Sequence, residues 1–493
     1  MTAGPVTPVS TTVGPTIAPA TVCRVGLRPD AVVASADGDT SGGALTIAHP
    51  FGVLTARGLT PGIESLLREL PGALAGEDEL VERLLAAGGT SQEAALLYLV
   101  LSRLRPVLVH AVEPLLRVVP IARDAVFQPP DLAPDEMVRL SRFALVRRAE
   151  EGLVLESPLS RHRAMLTEEA MPLLAALGRA VPAKEAPEAL GHLVGAGLAC
   201  VGDAEETDPT LRAWDFHDLL FHSRSRIGRH DQPFGATFRF LEELPPEPAI
   251  KPPPELSDGA VVELFVPSLE ETAAADPPFT TVLESRRSVR AYADAPPTVR
   301  QLGELLYRAA RVREVVAPKP GMPYEASSRP YPGGGAVYEL ELYLTVSRCE
   351  GLDRGVYYYD PLGHRLITLP ARAEDARAML AVASRATAGA ADPDVLITIT
   401  SRFRRLSWKY SGLAYAATLK NVGVLYQTLY LVATAMGMGP CGLGSGDADL
   451  AARTFGLDWA TESSVGDFLI GSAPHDAPDD APDDAPDDAT PGS

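Results

Sequence analysis

Apolar and polar positions alternate with two different periods along the C-terminal half of the chain. After Thr298, apolar residues recur at helical spacing over residues 299–312, and residues 372–384 have the same character. Residues 394–400 form a short apolar run that is typical of a buried strand. Residues 411–436 are apolar on almost every side, so we expect a helix that is central to the fold or lies at a subunit interface.

The same half contains further strand patterns. Glutamate and leucine alternate at the start of residues 337–346, which predicts a strand with one solvent-exposed face at its beginning. Residues 355–360 and 364–369 flank the Pro-Leu-Gly turn at 361–363 and indicate a hairpin, and residues 467–471 predict a last strand. Helices and strands mixed in this order predict an α+β fold.

Two small α+β modules are predicted in the N-terminal half. In the clearer one, residues 143–148 and 152–157 form a hairpin. A helix opened by a capping box at Thr167, a second short helix and a strand at 198–202 complete it. This order is winged-helix-like, and residues 44–115 resemble a looser version of it.

The Pro-rich segment 244–254 has the composition of a stiff extended linker between the two halves. We therefore divide the chain into six parts. They are a flexible arm (1–21), an N-terminal α+β module (22–130), a winged-helix-like module (138–205), a connecting segment with the linker (206–257), an α+β domain (258–473) and a disordered acidic tail (474–493).

Charge and cysteine content exclude several classes of protein. The chain of 493 residues has a net charge of −20, and the last segment holds seven Asp with no Lys or Arg. The remainder is acidic too, which argues against a nucleic-acid partner. Four cysteines without a CxxC pair give neither a disulfide framework nor a zinc signature. With no signal-peptide pattern and no long purely apolar run, we expect a soluble cytoplasmic protein without membrane contact.

A stretch dense in histidine, arginine and aromatic residues spans 211–240. Its residues His217, His222, His230 and Asp231 suggest a metal, but their spacing matches no metal-binding motif. Fixed salt bridges or a domain interface explain the stretch better, and we assign no metal.

Arg286, Ser288 and Arg290 alternate along the chain, so they share one face if the segment is extended. Two guanidinium groups and a hydroxyl on one face suit a phosphate group. A solvated basic edge is the alternative interpretation. The position of the run at the start of a domain, before the helix that Thr298 caps, favours the phosphate site.

This run resembles the opening of the nitroreductase superfamily, in which an R-x-S-x-[RK] segment binds the phosphate and ribityl chain of FMN. Two further blocks follow in the order of that family, a Gly-rich loop at 327–336 and the segment 436–444 after the apolar helix. The resemblance implies an antiparallel-rich sheet flanked by helices. It also implies FMN contacts from Arg286, Ser288, Arg290, Ser327, Ser328, Arg329, Gly442, Leu443 and Gly444, with 436–444 as a loop over the isoalloxazine ring.

A narrower resemblance covers residues 210–472. The sequences of residues 327–344 and 355–366 and of Trp408-Lys409-Tyr410 are similar to those of SagB-type peptide dehydrogenases. These enzymes are the azoline oxidases of thiazole/oxazole-modified peptide biosynthesis. That resemblance implies that Lys409 and Tyr410 are catalytic. It further implies a precursor peptide as substrate, a homodimer with FMN at its interface and, as an open possibility, a complex with a cyclodehydratase.

Oxidation of an azoline removes a proton from the Cα and a hydride from the neighbouring ring carbon, so the site needs a base. A lysine serves as that base only if burial or nearby positive charge lowers its pKa. Arg402, Arg404 and Arg405 lie just upstream of Lys409 and offer such charge. Tyr410 is the alternative base, and an ordinary surface lysine is the alternative for Lys409.

Three functions are therefore open. The first is an FMN-dependent azoline dehydrogenase, the second an NAD(P)H-dependent nitro- or quinone-reductase, and the third a non-catalytic peptide-binding subunit of a synthetase complex. The hairpin at 143–157 could bind a leader peptide as an added strand, or its module could be purely structural.

Overall fold

Contacts between Cα atoms divide the chain into two compact units at a boundary between Gln232 and Pro233. The structure is a computed structural model that describes residues 17–36, 43–254 and 261–474. Within these ranges, no helix is both long and apolar enough to cross a membrane.

The first unit combines twelve strands with eight α-helices in its described residues. The strands are β1 (Val22–Leu27), β2 (Val32–Ser35), β3 (Ala44–His49), β4 (Gly52–Arg57), β5 (Leu108–Glu113), β6 (Leu116–Pro120), β7 (Met137–Leu140), β8 (Leu145–Ala149), β9 (Gly152–Glu156), β10 (His162–Leu166), β11 (Val181–Pro182) and β12 (Ala199–Val201). The helices are α1 (Pro61–Glu69), α2 (Glu77–Ala86), α3 (Ser91–Arg103), α4 (Met171–Ala176), α5 (Pro187–Gly195), α6 (Ala204–Thr207), α7 (Pro209–Arg212) and α8 (Phe216–Arg224).

The main sheet of this unit has the order β1-β5-β6-β10-β9-β8. The predicted hairpin is present as β8 and β9, paired in register from Leu145–Glu156 to Ala149–Gly152. Because β6 pairs with β10, strands from 22–130 and from 138–205 share one sheet, and the two segments are not separate modules as predicted.

The predicted winged-helix-like module is also wrong in how its strands pair. The final strand β12 pairs with β7, a strand that the sequence pattern did not indicate, and lies in a different sheet from the hairpin. The capping box at Thr167 is absent, because the Thr167 hydroxyl donates instead to the carbonyl oxygens of Pro114 and Leu115.

The second unit combines eleven strands with seven α-helices in its described residues. The strands are β13 (Gly235–Ala236), β14 (Val261–Glu263), β15 (Glu314–Val316), β16 (Ala326–Ser328), β17 (Leu340–Val346), β18 (Gly355–Asp360), β19 (Arg365–Thr368), β20 (Val395–Arg402), β21 (Tyr410–Ser411), β22 (Met438–Leu443) and β23 (Glu462–Ser472). The helices are α9 (Leu269–Ala275), α10 (Phe279–Ser285), α11 (Val299–Ala310), α12 (Ala373–Arg385), α13 (Phe403–Ser407), α14 (Ala414–Ala435) and α15 (Ala448–Phe455).

A seven-stranded sheet of order β14-β19-β18-β17-β20-β23-β22 organises this unit, and all its neighbours are antiparallel. Leu342 and Leu344 pack on one face against α11 and α14, whereas Tyr343 packs on the other face against α12 and α15. Thr298 caps α11 in a reciprocal box with Gln301, as its sequence predicts. The predicted α+β fold with an antiparallel sheet between helices is confirmed.

Three sequence expectations for this unit are wrong. Strand β17 has no solvent-exposed face, because Glu341 is buried and pairs with Arg402 at 3.0 Å. Residues 438–443 form edge strand β22 and not a loop. The Pro-rich segment is not a free linker, because Arg402 donates to the carbonyl oxygens of Pro248 and Ala249 and so holds the segment within the second unit.

Candidate active site

Lys409 follows α13 and is buried, with 9% of its surface exposed. Its neighbour Trp408 is 2% exposed and donates from the indole to the carbonyl oxygen of Leu244 at 2.7 Å, which fixes the chain at this point. Tyr410 begins β21, which pairs with β13. Lys409 is therefore not the ordinary surface lysine that the sequence left as an alternative.

The amine of Lys409 lies over a glycine turn. Its Nζ donates to the Tyr324 hydroxyl at 2.5 Å and to the Gly335 carbonyl oxygen at 3.4 Å. The backbone of Gly335 has a φ of 62°, and a Cβ built there would overlap both Lys409 Nζ and the Tyr410 hydroxyl. The two predicted catalytic groups therefore lie together on one side of Gly335.

The glycine turn is attached to α14 by a side chain that the sequence argument did not use. The Gly334 N–H donates to the Asn421 side-chain oxygen at 3.2 Å, and the Asn421 amide donates to the Glu339 carboxylate at 2.9 Å. Burial raises the pKa of Glu339. A polar asparagine in a nearly all-apolar helix was the available sequence signal, because such a residue needs a buried partner.

Two of the three predicted flavin blocks meet at Tyr430 of α14. Residues 286–290 leave α10 without regular structure, and the Ser288 hydroxyl lies 2.8 Å from the Tyr430 hydroxyl. The Arg286 guanidinium lies over the Tyr430 ring at 5.0 Å, and the Gly442 N–H donates to the Tyr430 hydroxyl at 2.6 Å. Nothing in the sequence distinguished Tyr430 from the other aromatic residues of this helix.

The other residues of these two blocks are also joined by contacts between the arginine segment and strand β22. Val289 donates from its backbone to the Pro440 carbonyl oxygen at 2.8 Å, which ties the arginine segment to strand β22. Burial raises the pKa of Cys441, and the nearby charge of Arg290 opposes that rise. Leu443 is buried, whereas Gly444 is exposed just beyond the strand. Arg290 therefore lies beside β22, which is where it must lie if the arginine segment and this strand are to contact the same ligand.

The second predicted block, at residues 327–336, includes more deeply buried side chains. Ser328 is half-buried in β16, and Ser327 and Arg329 are almost fully buried. Arg329 donates to the Leu340 carbonyl oxygen at 3.3 Å, but its other two nitrogens and the Ser327 hydroxyl find no hydrogen-bond partner among the described residues. Buried polar atoms without partners are unusual and mark a place where a further polar group could bind.

The arginines upstream of Lys409 are committed to other partners. Arg402 pairs with Glu341, and Arg404 pairs with Glu247 at 2.9 Å. Arg405 donates to the carbonyl oxygens of Glu325 and Val337, and burial lowers its pKa to about 10. Because two of the three charges are matched by carboxylates, these arginines supply less positive charge to Lys409 than the sequence suggested.

The histidine-rich stretch shows salt bridges in the first unit. Asp231 accepts from Arg28 at 3.0 Å and from Arg163 at 2.9 Å, which confirms the ionic interpretation for this residue. Asp215, His217 and Asp218 lie within ligand distance of one another, but all three are exposed side chains.

Two known families match the chain, one in each compact unit. Residues 138–231 match the cyanobactin oxidase ThcOx, and residues 283–471 match the nitroreductase family. The second unit thus carries a nitroreductase-family domain. The pair of matches confirms the resemblance to SagB-type dehydrogenases of the nitroreductase superfamily that the sequence predicted.

Individual relatives and solved structures are similar to parts of this chain. A Methanocaldococcus jannaschii protein named as a nitroreductase, MJ1384, is 29% identical over 187 residues, which are 38% of this chain and 86% of that protein. A Ralstonia eutropha structure named as a nitroreductase is 21% identical and covers 50% of this chain and 100% of its own, with a TM-score of 0.35. A chain of the E. coli microcin synthetase McbBCD, solved with truncated pro-MccB17 bound, is 21% identical and covers 52% of this chain and 86% of its own, with a TM-score of 0.31.

Proposed function

Because this chain joins a nitroreductase-family domain to a ThcOx-like segment, we propose that it is an FMN-dependent azoline dehydrogenase. Its reaction is the oxidation of thiazoline or oxazoline rings to thiazole or oxazole in a ribosomally synthesised peptide. The observation that carries the proposal is the buried amine of Lys409, placed with the Tyr410 hydroxyl on one side of the Gly335 turn.

The residues present fit FMN. Arg286 and Arg290 bring two cations and Ser288 a hydroxyl to the segment beside β22, which suits a phosphate. The Gly-rich turn lets backbone approach a flat ring, because a Cβ on Gly335 would fill the space beside Lys409. Ser327 and Arg329 keep polar atoms that have no partner among the described residues, and Gly442 and Leu443 end the adjoining strand with Gly444 just beyond it. We assign these residues to the cofactor, as the resemblance implies.

Aromatisation of an azoline removes one proton and one hydride, and no atom is added to the ring. FMN, when bound, supplies the acceptor for the hydride. Lys409 in its neutral form takes the proton from the Cα, and Tyr410 orients the ring beside it. Tyr410 as the base is the alternative, and the two variants below distinguish these roles.

We extend the proposal to a homodimer built on α14. Tyr415, Leu419, Gly423 and Gln427 follow one another at four-residue spacing on the exposed side of this helix. Tyr415 and Leu419 are 47% and 41% exposed, and two such side chains followed by a glycine suit close contact with a second helix.

The two clusters of the site also favour a dimer. Asn421 and Tyr430 are nine residues apart on α14, which is about two and a half helical turns. Their side chains therefore leave α14 on opposite sides. A second copy would allow the glycine turn of one chain and the arginine segment of the other to meet at one flavin.

The first unit is the proposed site for the precursor peptide. Strand β8 lies at the edge of its six-stranded sheet and pairs only with β9 among the described strands. Val146 and Leu153 are exposed on this hairpin, and Arg148 is exposed between them. A peptide strand can add to such an edge through main-chain hydrogen bonds.

The decisive experiment is azole formation by purified full-length protein, followed by the loss of two hydrogens per ring in the mass of an azoline peptide. We expect Lys409→Ala to keep its flavin and lose azole formation, and Tyr410→Phe to keep a residual rate. Lys319→Ala is the matched control, because Lys319 is exposed in the same unit.

Flavin reduction under anaerobic conditions separates the alternative functions. Bleaching by an azoline peptide supports the proposal, whereas bleaching by NADPH alone favours a nitro- or quinone-reductase. A purified protein without a flavin spectrum would favour a non-catalytic subunit, and a normal rate in Lys409→Ala would refute its role as the base.

A further inference from the structure

We propose that Tyr324 is the positioning residue for Lys409, which holds the amine in the orientation that proton transfer needs. This inference rests on the proposed function, because it concerns the base of that reaction. Tyr324 lies well before the Lys-Tyr pair in the chain, and nothing in its sequence context marked it.

Tyr324 is held in place by its own packing. It is 5% exposed, and its ring contacts Phe238 and Trp408 with centroid distances of 6.4 Å each. These rings share one apolar cluster with Val337 and Leu406. Because Trp408 immediately precedes Lys409, the same cluster fixes both the tyrosine and the start of the lysine side chain.

The hydrogen bonds give the Tyr324 hydroxyl a defined direction. The hydroxyl donates its single proton to the Gly335 carbonyl oxygen at 3.0 Å, so that its lone pairs remain for Lys409. Lys409 Nζ therefore acts as the donor toward Tyr324 at 2.5 Å, with a second, longer contact to the Gly335 carbonyl oxygen at 3.4 Å.

This arrangement leaves the reactive side of the amine free. Two N–H groups point to Tyr324 and Gly335, so the lone pair of the neutral amine points away from both of them. The Tyr410 hydroxyl lies on the same side of Gly335 as the amine. A base whose orientation is fixed by a third group is the arrangement that activated side chains commonly use.

Removing the Tyr324 hydroxyl should release the amine from this orientation. Because Tyr324 is placed to act through Lys409 and not on the substrate, the loss should appear in kcat and leave the KM for the peptide unchanged.

The test is Tyr324→Phe in the full-length holoprotein, with azole formation measured against the concentration of an azoline peptide. We expect a kcat about tenfold lower and an unchanged KM. Flavin absorbance and the thermal midpoint should stay close to those of the parent. Tyr357→Phe is the matched control, because Tyr357 is also buried and donates to a backbone carbonyl, that of Asp353, at 2.7 Å.

A second readout does not depend on turnover. Biosynthetic 13C labelling at the Cε of lysine allows Lys409 to be followed by NMR without modifying its amine, with Lys409→Ala used to assign its signal. A narrower Lys409 signal, which reports a more mobile side chain, in Tyr324→Phe and not in Tyr357→Phe supports the inference even if the parent makes no azole, in which case only the proposed function fails. An unchanged Lys409 signal together with an unchanged kcat in Tyr324→Phe would overturn it.

Discussion

The carbonyl oxygen of Gly335 accepts a hydrogen bond from Lys409 Nζ at 3.4 Å, and the missing Cβ of this glycine makes room for that nitrogen and for the Tyr410 hydroxyl. A φ of 62° at the same residue is readily adopted only by glycine. The backbone conformation therefore favours glycine at this position, and the space beside it leaves no room for a Cβ.

Gly335→Ala should displace Lys409 and Tyr410 while the fold is retained. We expect azole formation to fall by about a hundredfold, because a misplacement of about 1 Å has effects of that size on positioned catalytic groups. Gly389→Ala is the matched control, because Gly389 has a φ of 76° with no atom within 4 Å of the added Cβ. Equal losses in both variants would show that backbone strain alone is responsible.

Tyr430→Phe should weaken flavin binding. The change removes one partner of the Ser288 hydroxyl and the Tyr430 acceptor of the half-buried Gly442 N–H, and loss of such a hydrogen bond costs about 1–3 kcal/mol. We expect the Kd for FMN to rise by about tenfold, measured by fluorescence quenching on reconstitution. Tyr359→Phe, which removes a buried hydroxyl bonded to His364, should leave this Kd unchanged.

Leu419→Asp should dissociate the proposed dimer. Leu419 is 41% exposed on α14, and a charge in an apolar interface is unfavourable. Sedimentation should show monomers, with flavin lost in parallel if the site needs both copies. A dimer that persists in Leu419→Asp would place the interface elsewhere on the chain.

Asp467→Asn should stabilise the second unit at neutral pH. Burial raises the pKa of Asp467 to about 6, although the Thr398 hydroxyl donates to it. The folded state therefore binds more protons than the unfolded state between about pH 4 and 6, so this carboxyl makes the protein less stable as pH rises through that window. The difference above pH 6 is up to about 3 kcal/mol.

Chemical denaturation of the parent and of Asp467→Asn at several pH values measures this effect. The free-energy difference between the two should grow from about pH 4 to pH 6 and then stay constant. Asp392→Asn changes the same charge at an exposed position and should show no such growth.

The first unit should lose stability as pH falls below about 6.5. Burial lowers the pKa of His110 to about 3 and that of His162 to about 4, so the unfolded state binds protons that the folded state rejects. Each histidine should cost about 1.4 kcal/mol per pH unit below its ordinary pKa. Amide exchange of β5 and β10 should accelerate accordingly, less so in His110→Gln, whereas exposed His217→Gln should behave like the parent.

Much of the second unit followed from local sequence alone. The period of apolar residues identified α11 and α12, and the turn at 361–363 identified the hairpin of β18 and β19. Such patterns report which face of one element avoids water, and this information is contained in neighbouring residues. The resemblance of Arg286, Ser288 and Arg290 to a known family added the cofactor hypothesis, which periodicity by itself did not contain.

Partners distant in the chain were decided by the tertiary structure. The alternation of glutamate and leucine at 337–346 predicted a solvent-exposed face, yet Glu341 is buried because Arg402 from β20 neutralises it. Tyr324 joins Lys409 only because the chain returns to the same cluster. The sequence by itself predicted most elements of the second unit and its α+β class, and the family resemblance added the antiparallel sheet and the candidate Lys-Tyr pair. Only the fold decided which buried polar groups meet, because such groups are stable only beside partners that the local pattern does not reveal.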